Sequence, residues 1–423
     1  MSDDNLAVQK ELLLRIELLL EQEELIWVQR ARLNWLKHGD RNTNFFQNFA
    51  TIRKRRNTIK SLVDDQGGRH DDICAMKAVV KEYFEILFTA EIQEVDASVF
   101  ADVQRKISRS MNQQLLCPFS QEEVKKALFS IGDLKAPGPD GLHAIFYKRF
   151  WSILGDDLVK EVLHTVNTRV IPEGWNRTTI VLIPKVETPE KVSQFRPISL
   201  CNVVYKVISK MLANRLRGIL TEIISEHQSA FVPGRLITDN VLLAYECIHA
   251  IKKKKGNSGL CAIKLDMHKA YDRVEWSFLE QIMLKLGFDP RWVEMVMACV
   301  SSVTYKIWFN GSETGEFVPS RGLRQGDPLS PYLFLLVAEG LSAMLKGAEG
   351  RGDLEGVSVC RSAPQVSHLL FADDSLLLMK ADPKNANCVK GILDKILCQL
   401  RADAERSKVQ YFLLREHSSR DEG

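Results

Sequence analysis

The sequence predicts an α+β fold, and three observations carry that expectation. Long segments repeat their apolar residues at helical spacing, and short β-branched or alternating runs lie between them. The stretch from His368 to Met379 sets two adjacent acids, Asp373 and Asp374, between apolar runs too short to be separate helices. It suits a β-hairpin with the acids at its turn. Adjacent anions at about 4 Å repel by roughly 4 kcal/mol at an effective dielectric of about 20. Such a pair is either a solvated turn or a site that places a cation.

Taken in order, Leu6, Leu13, Leu20 and Trp27 fall seven apart with Leu12, Ile16 and Leu19 beside them, which predicts a long amphipathic helix over about 5–37. Coiled-coil self-association through residues 6–27 is left open. A second helix is expected from Asn42 through Arg53, Lys54, Arg55 and Arg56. Residues 30–60 hold nine bases against one acid, Asp40, interleaved with Trp35, Phe45, Phe46 and Phe49. That pattern suits either a polyanion backbone or a solvated helix face with the aromatics in the core. Asp64-Asp65-Gln66-Gly67-Gly68 is a turn, and 76–87 reads as a helix. Ser120 caps a helix over 121–131, with Glu122 and Glu123 in its first turn, where the helix dipole favours acids.

Residues 135–141 are too rich in Pro and Gly for a helix or strand interior and lead into an expected helix over 146–154. A strand is expected over 178–183, a helix over about 201–220, a loop carrying a base over 228–235, and a helix over 238–251. The run 261–266 alternates and delivers Asp266 at a strand tip, with a helix expected after Lys269. A strand over 305–309 meets the Asn310-Gly311 hairpin signal, and the Gly-rich basic loop 321–330 precedes a helix over 331–345.

At 423 residues the chain can bury a substantial core, and 45% hydrophobic with 26% charged residues argues against wholesale disorder. Nine cysteines without a C-x-x-C pair point to reduced thiols in an intracellular setting, nuclear or cytoplasmic, rather than zinc or a disulfide framework. Arg15 and Glu17 interrupt the most leucine-rich run, so no membrane span is expected, and the acidic N-terminus is unlike a signal or transit peptide.

Asp266, Asp373 and Asp374 at the ends of β elements form an oxygen donor set suited to Mg²⁺, with Mn²⁺ as an alternative. Two such ions can stabilise the attacking and leaving oxygens of an in-line phosphoryl displacement, which points to nucleotidyl transfer. That chemistry needs cations against a polyphosphate, and Lys185, Arg196 and Arg324 are the candidates.

Six boxes then occur in order: Lys135-Ala-Pro-Gly-Pro-Asp-Gly141, Phe195-Arg-Pro-Ile198, Gln228-Ser-Ala-Phe-Val-Pro-Gly-Arg235, Leu265-Asp-Met-His-Lys-Ala-Tyr-Asp-Arg-Val274, Gly322-Leu-Arg-Gln-Gly-Asp-Pro-Leu-Ser-Pro331 and Phe371-Ala-Asp-Asp374. Together they resemble the reverse transcriptase of plant LINE-type (non-LTR) retrotransposons, over about 27–379. Trp35 to Phe46 is similar to the stretch that precedes the polymerase in such elements. The resemblance implies a right-hand polymerase fold of fingers and palm with an antiparallel palm sheet. It also implies an RNA template, a DNA primer and dNTPs as partners. Asp266, Asp373 and Asp374 would be the catalytic metal ligands, and Tyr271 an aromatic gate beneath the nucleotide sugar. Gln325 and Gly326 would lie against the incoming nucleotide, while Arg196, assisted by Lys185, would pair with the triphosphate.

The expected organisation is a helical basic extension at 1–75, fingers and upstream palm at 76–258, palm at 259–400 and a divergent tail at 401–423. His268 departs from the family's small polar residue, and the sequence after Cys398 follows the family only loosely. A truncated copy lacking the thumb is therefore expected. The alternatives are an inactive nucleic-acid-binding copy of the same fold and an intron maturase-like splicing cofactor.

Overall fold

The computed structural model describes residues 3–31, 43–90, 95–254, 259–267, 269–400 and 408–413. All of 32–42, His268 and most of the tail lie outside those residues. The chain divides into two units. One comprises Met1–Val79, Leu182–Arg196 and Phe309–Ser312, and the other Val80–Val181, Pro197–Trp308 and Glu313–Gly423.

In the first unit, α1 (Asp3–Ala31) and α2 (Thr43–Asn57) realise the two expected N-terminal helices. Lys54, Arg55 and Arg56 end α2 as exposed cations, where they meet the negative end of the helix dipole. The Asp64 turn joins β1 (Leu62–Val63) to β2 (Arg69–His70) in antiparallel register. The Asp64 carboxylate accepts bonds from the Gln66 and Gly68 amides at 2.9 and 2.7 Å and lies 2.8 Å from the His70 ring. These contacts, His70 foremost, hold it below the ordinary carboxylate range.

The helix α3 (Ile73–Phe88) follows, and then α4 (Arg109–Leu116) and α5 (Gln121–Ser130). The Ser120 cap forms as expected. Its hydroxyl accepts from the Glu123 amide, and the Glu123 carboxylate accepts from the Ser120 amide. The helix expected over 146–154 is instead two, α6 (Ala144–Arg149) and α7 (Trp151–Thr168), because Phe150 leaves helical geometry at ψ 24°. Lys148 anchors α6 there, its ammonium donating to the Phe129 and Ile131 carbonyls and to Asp133.

After β3 (Arg177–Pro184) comes β4 (Phe195–Cys201), a strand read only as a box in the sequence, so the next helix starts late, at α8 (Val203–Arg217). A short α9 (Leu220–Ile223) and α10 (Ile237–Lys253) precede β5 (Leu260–Asp266). The helix expected from Lys269 begins as a 3-10 turn over Tyr271–Arg273 and becomes regular at α11 (Trp276–Leu286). No expectation from the sequence covers α12 (Pro290–Ser301), although Asp289 caps it and Pro290 opens it. Then follow β6 (Thr304–Phe309), β7 (Ser312–Glu313), α13 (Ser330–Gly350), β8 (His368–Phe371), β9 (Asp374–Lys380), α14 (Pro383–Leu400) and β10 (Lys408–Leu413).

Two four-stranded sheets result, in the orders β10-β5-β9-β8 and β4-β3-β6-β7. The first is wholly antiparallel, whereas β3 and β6 of the second run parallel. Residues 408–413 thus extend the acid-bearing sheet as the neighbour of β5. One face of β5 and β9 buries Cys261, Ile263, Leu265, Leu377 and Met379 in the main core, built largely from α8, α11, α12 and α13. Leu260, Ala262 and Leu378 on the opposite face pack with Cys247 and Ile251 of α10. Among the described residues, no helix is long and apolar enough to cross a membrane.

Candidate active site

The site begins with a register. Leu265 and Ile263 are buried while Lys264 and Asp266 are exposed, so the alternation of β5 settles which face turns to the core. Antiparallel pairing with β9 then sets Asp266 opposite Asp374 and Leu265 opposite Ser375. Register partners share a face with Cβ atoms about 5 Å apart, and like charges so placed are destabilising. Lys264, two residues back on the same face, offsets part of that charge, its ammonium 3.5 Å from the Asp374 carboxylate. Asp373 occupies the turn between β8 and β9, immediately after Ala372, whose φ of +54° is left-handed backbone that non-glycine residues seldom adopt.

Tyr271 reaches the same end of the sheet. Its ring stacks on Phe334 of α13 with centroids 4.5 Å apart and planes 13° from parallel. Burial pushes its phenol well above the ordinary range, and the negative charge of Asp373 adds to the shift. The Gly-rich loop is tied to the turn that carries Tyr271. The Leu323 amide donates to the Tyr271 carbonyl at 2.7 Å, and the Gly322 amide to the Val274 carbonyl at 2.8 Å. Gly322, at φ +94°, passes so close that a Cβ there would lie 2.7 Å from the Asp272 carbonyl oxygen. The Gln325 side-chain Nε2 donates to the Asp272 carboxylate at 3.1 Å, the Gln325 backbone carbonyl accepts from the Ser199 amide of β4 at 2.8 Å, and Gly326 is exposed beside it.

Asp266, Asp373, Asp374 and Tyr271 are therefore gathered at one end of one sheet, with Gln325 and Gly326 in the loop anchored to Tyr271. Lys185 and Arg196 belong to the first unit, where both are exposed and the Lys185 amide donates to the Gln194 carbonyl at 2.9 Å. Among the described residues no three His, Cys, Asp or Glu side chains converge as a ready-made metal cluster. The donor set nonetheless fits a hard, oxygen-preferring cation. Two carboxylates face each other across a strand pair, one of them beside a partly exposed ammonium, and the third is in the adjoining turn.

Arg324 is not available as a phosphate clamp, contrary to expectation. It is buried, its guanidinium paired with Asp327 at 2.8 Å, donating to Asn176, the Tyr205 hydroxyl and the Cys299 carbonyl, and lying over the Tyr205 ring. Asp327 in turn accepts from Tyr205, Ser209 and the Leu329 amide. The pair is the loop's internal brace. Arg235, read only as a base in a loop, is likewise a clamp, donating to the carbonyls of Thr221, Ile224, Ser225 and Gln228. Behind the hairpin, the rings of His227 and His368 stack at 4.3 Å. His368 is bracketed by Ser342 at 2.8 Å and Ser367 at 2.9 Å. Burial, then the charge of Lys346, pushes His227 down to about 4, and burial, reinforced by His227, pushes His368 well below its ordinary value.

Residues 183–420 match the family described as reverse transcriptase (RNA-dependent DNA polymerase). The chain belongs to that family and has its palm-and-fingers polymerase fold. It is 30% identical over 350 residues to an uncharacterized 149 kDa protein of transposon TX1 of Xenopus laevis, covering 82% of this chain and 26% of that protein. It is 30% identical over 266 residues to a retrovirus-related Pol polyprotein from a type-1 retrotransposable element R2 of Popillia japonica, covering 63% of this chain and 35% of that protein. A 66-residue stretch is 54% identical to an uncharacterized mitochondrial protein of Arabidopsis thaliana, covering 16% of this chain and 54% of that one. The domain is of the non-LTR retrotransposon type, and the chain spans about a quarter to a third of its two long relatives.

Two outcomes follow from this packing. Arg324→Leu leaves Asp327 buried without its cation and should cost about 3 to 5 kcal/mol, read as a lower urea midpoint. A variant as stable as the parent but weaker for dNTPs would return Arg324 to the clamp. Because both histidines are neutral when folded and protonate near 6.5 when unfolded, the unfolded state binds more protons below that pH. Stability should fall as pH drops through about 6.5, down to about 4 for His227. Melting temperatures of the parent and His368→Gln, taken across that window, should show a shallower fall in the variant.

Proposed function

We propose that this chain is the fingers and palm of an RNA-directed DNA polymerase from a LINE-type element of plant origin, adding dNTPs to a primer 3′-hydroxyl on an RNA template. The observation that carries the reading is the placement of Asp266 opposite Asp374, with Asp373 in the adjoining turn. Plant origin is supported by the similarity to the Arabidopsis protein. On this reading residues 1–75 form a basic extension, 76–258 the fingers and upstream palm, and 259–400 the palm.

Asp266, Asp373 and Asp374 would hold two Mg²⁺ ions, or Mn²⁺ in their place. Bound there, such ions supply Lewis-acid stabilisation of the attacking and leaving oxygens. The primer hydroxyl attacks the α-phosphate, the bond to the β-phosphate breaks, and pyrophosphate leaves. Tyr271, braced against Phe334, would exclude a 2′-hydroxyl by steric contact, and Gln325 with Gly326 would bring backbone close to the base pair being formed. Lys185 and Arg196 would offset triphosphate charge. The setting would be the nucleus or the cytoplasm.

Primer extension on an RNA template tests the reading. Asp266→Asn and Asp373→Asn should each lower the rate about 10² to 10³-fold, the usual loss when one electrostatic stabiliser of a transition state is removed. In the same assay Tyr271→Ala should admit ribonucleotides. Template binding without extension by the parent chain would favour the inactive, nucleic-acid-binding reading.

Self-association through residues 6–27 is supported by the seven-residue spacing of Leu6, Leu13, Leu20 and Trp27 and by the exposure of Leu13 and Leu20 on α1, 55% and 48%. Sedimentation equilibrium should give a dimer that Leu13→Asp with Leu20→Asp converts to monomer. A monomeric parent chain would remove the idea.

A further inference from the structure

The turn that presents Asp373 is held from outside its own hairpin. Ala372 sits at φ +54°, a conformation that costs a non-glycine residue of order 1 to 3 kcal/mol and persists only where neighbours over-determine it. Its amide hydrogen is bound by the side-chain oxygen of Gln228, at 3.0 Å, from a loop 144 residues earlier. The same oxygen accepts from the Ala230 amide at 3.0 Å. Both contacts are N–H donors, so the amide orientation is fixed by its partners. Gln228 is 1% exposed.

Its loop is stitched to β8 by backbone bonds, from the Leu370 amide to the His227 carbonyl at 2.8 Å and from the Ser229 amide to the Leu370 carbonyl at 3.2 Å. Asn240 of α10 adds a bond to the same Leu370 carbonyl at 3.0 Å. The loop cannot drift, because Arg235 pins it through four carbonyls. Gln228 also bears a cost. Its Nε2 is buried with no partner among the described residues, a penalty of about 1 to 3 kcal/mol that an apolar side chain of the same shape would avoid. What glutamine supplies there is the acceptor.

We propose that Gln228 is a positioning residue for Asp373: its carbonyl oxygen captures the Ala372 amide and fixes the left-handed turn that presents the acid. The inference rests on the assignment of Asp373 as a metal-binding carboxylate. Neighbours that orient such ligands typically change metal affinity or rate about 10 to 100-fold when removed.

The test uses the full chain with two variants. Gln228→Met keeps the shape and removes the acceptor, whereas Gln228→Glu keeps an acceptor oxygen. In Gln228→Met the Ala372 amide should exchange with solvent at least about tenfold faster, by residue-resolved hydrogen exchange, while the amides at the centre of β9 stay as slow as in the parent. Mn²⁺ affinity by calorimetry and the extension rate should each fall about tenfold, with template affinity within about twofold. Gln228→Glu should restore the slow exchange of Ala372. Parent-like exchange and Mn²⁺ affinity in Gln228→Met would overturn the proposal, and so would equal acceleration of all β8 and β9 amides, which marks a general loss of packing. A parent chain that fails to extend any primer counts against the polymerase reading, and exchange and Mn²⁺ binding still decide Gln228.

Discussion

The register of β5 against β9 is the constraint on which the rest of the site depends. It is fixed by burial, because the face that carries Cys261, Ile263 and Leu265 is in the main core and a slip of one residue would exchange those side chains for Lys264 and Asp266. Burial of three aliphatic or thiol side chains contributes several kcal/mol. The repulsion between Asp266 and Asp374 works against the same pairing, but those carboxylates are exposed, where water and Lys264 screen them. Packing therefore wins, and the sheet can carry like charges face to face at its solvent end.

A second set of contacts carries that placement outward. Tyr271 is fixed from below by Phe334 and from the side by the Leu323 amide, so the Gly-rich loop and the acid-bearing strand share one anchor. The Arg324–Asp327 pair then braces the loop from inside, reaching Tyr205 and Ser209 of α8. A buried pair of this kind adds little net stability compared with apolar residues of similar volume. What it adds is a single geometry, because each partner has its bonds satisfied in only one arrangement. Gln325 and Gly326 inherit their positions from it.

Much of this was legible in the sequence. The Asp373-Asp374 hairpin, the Asp266 strand tip, the Ser120 cap and the Asn310-Gly311 turn each follow from local chemistry that needs no partner, and they appear where expected. What escaped were features decided by distant residues. A Pro within 195–201 hid β4, and the break at Phe150 depends on Lys148 reaching back to the end of α5. The pairing of 408–413 with β5 joins segments more than 140 residues apart, which no local pattern announces. Arg324 was misread for the same reason. A base in a glycine-rich loop looks like a phosphate ligand until the carbonyls and carboxylate that surround it are known.

That misreading separates two kinds of cation. Arg324 and Arg235 satisfy their planar forks inward, with four or more acceptors each, so their charge is spent on holding loops. Lys264 has a weaker hold on Asp374, 3.5 Å away with both side chains more than half exposed, and its ammonium can be displaced at little cost. A site that must exchange one cation for another needs its resident charge to be weakly bound and its scaffold to be rigid. Here the loops are braced by Arg324, Arg235 and Gln228, and the charge of Asp374 is met by the half-exposed Lys264. That division of labour sets the outward-facing carboxylates of this hairpin on an inward-paired frame.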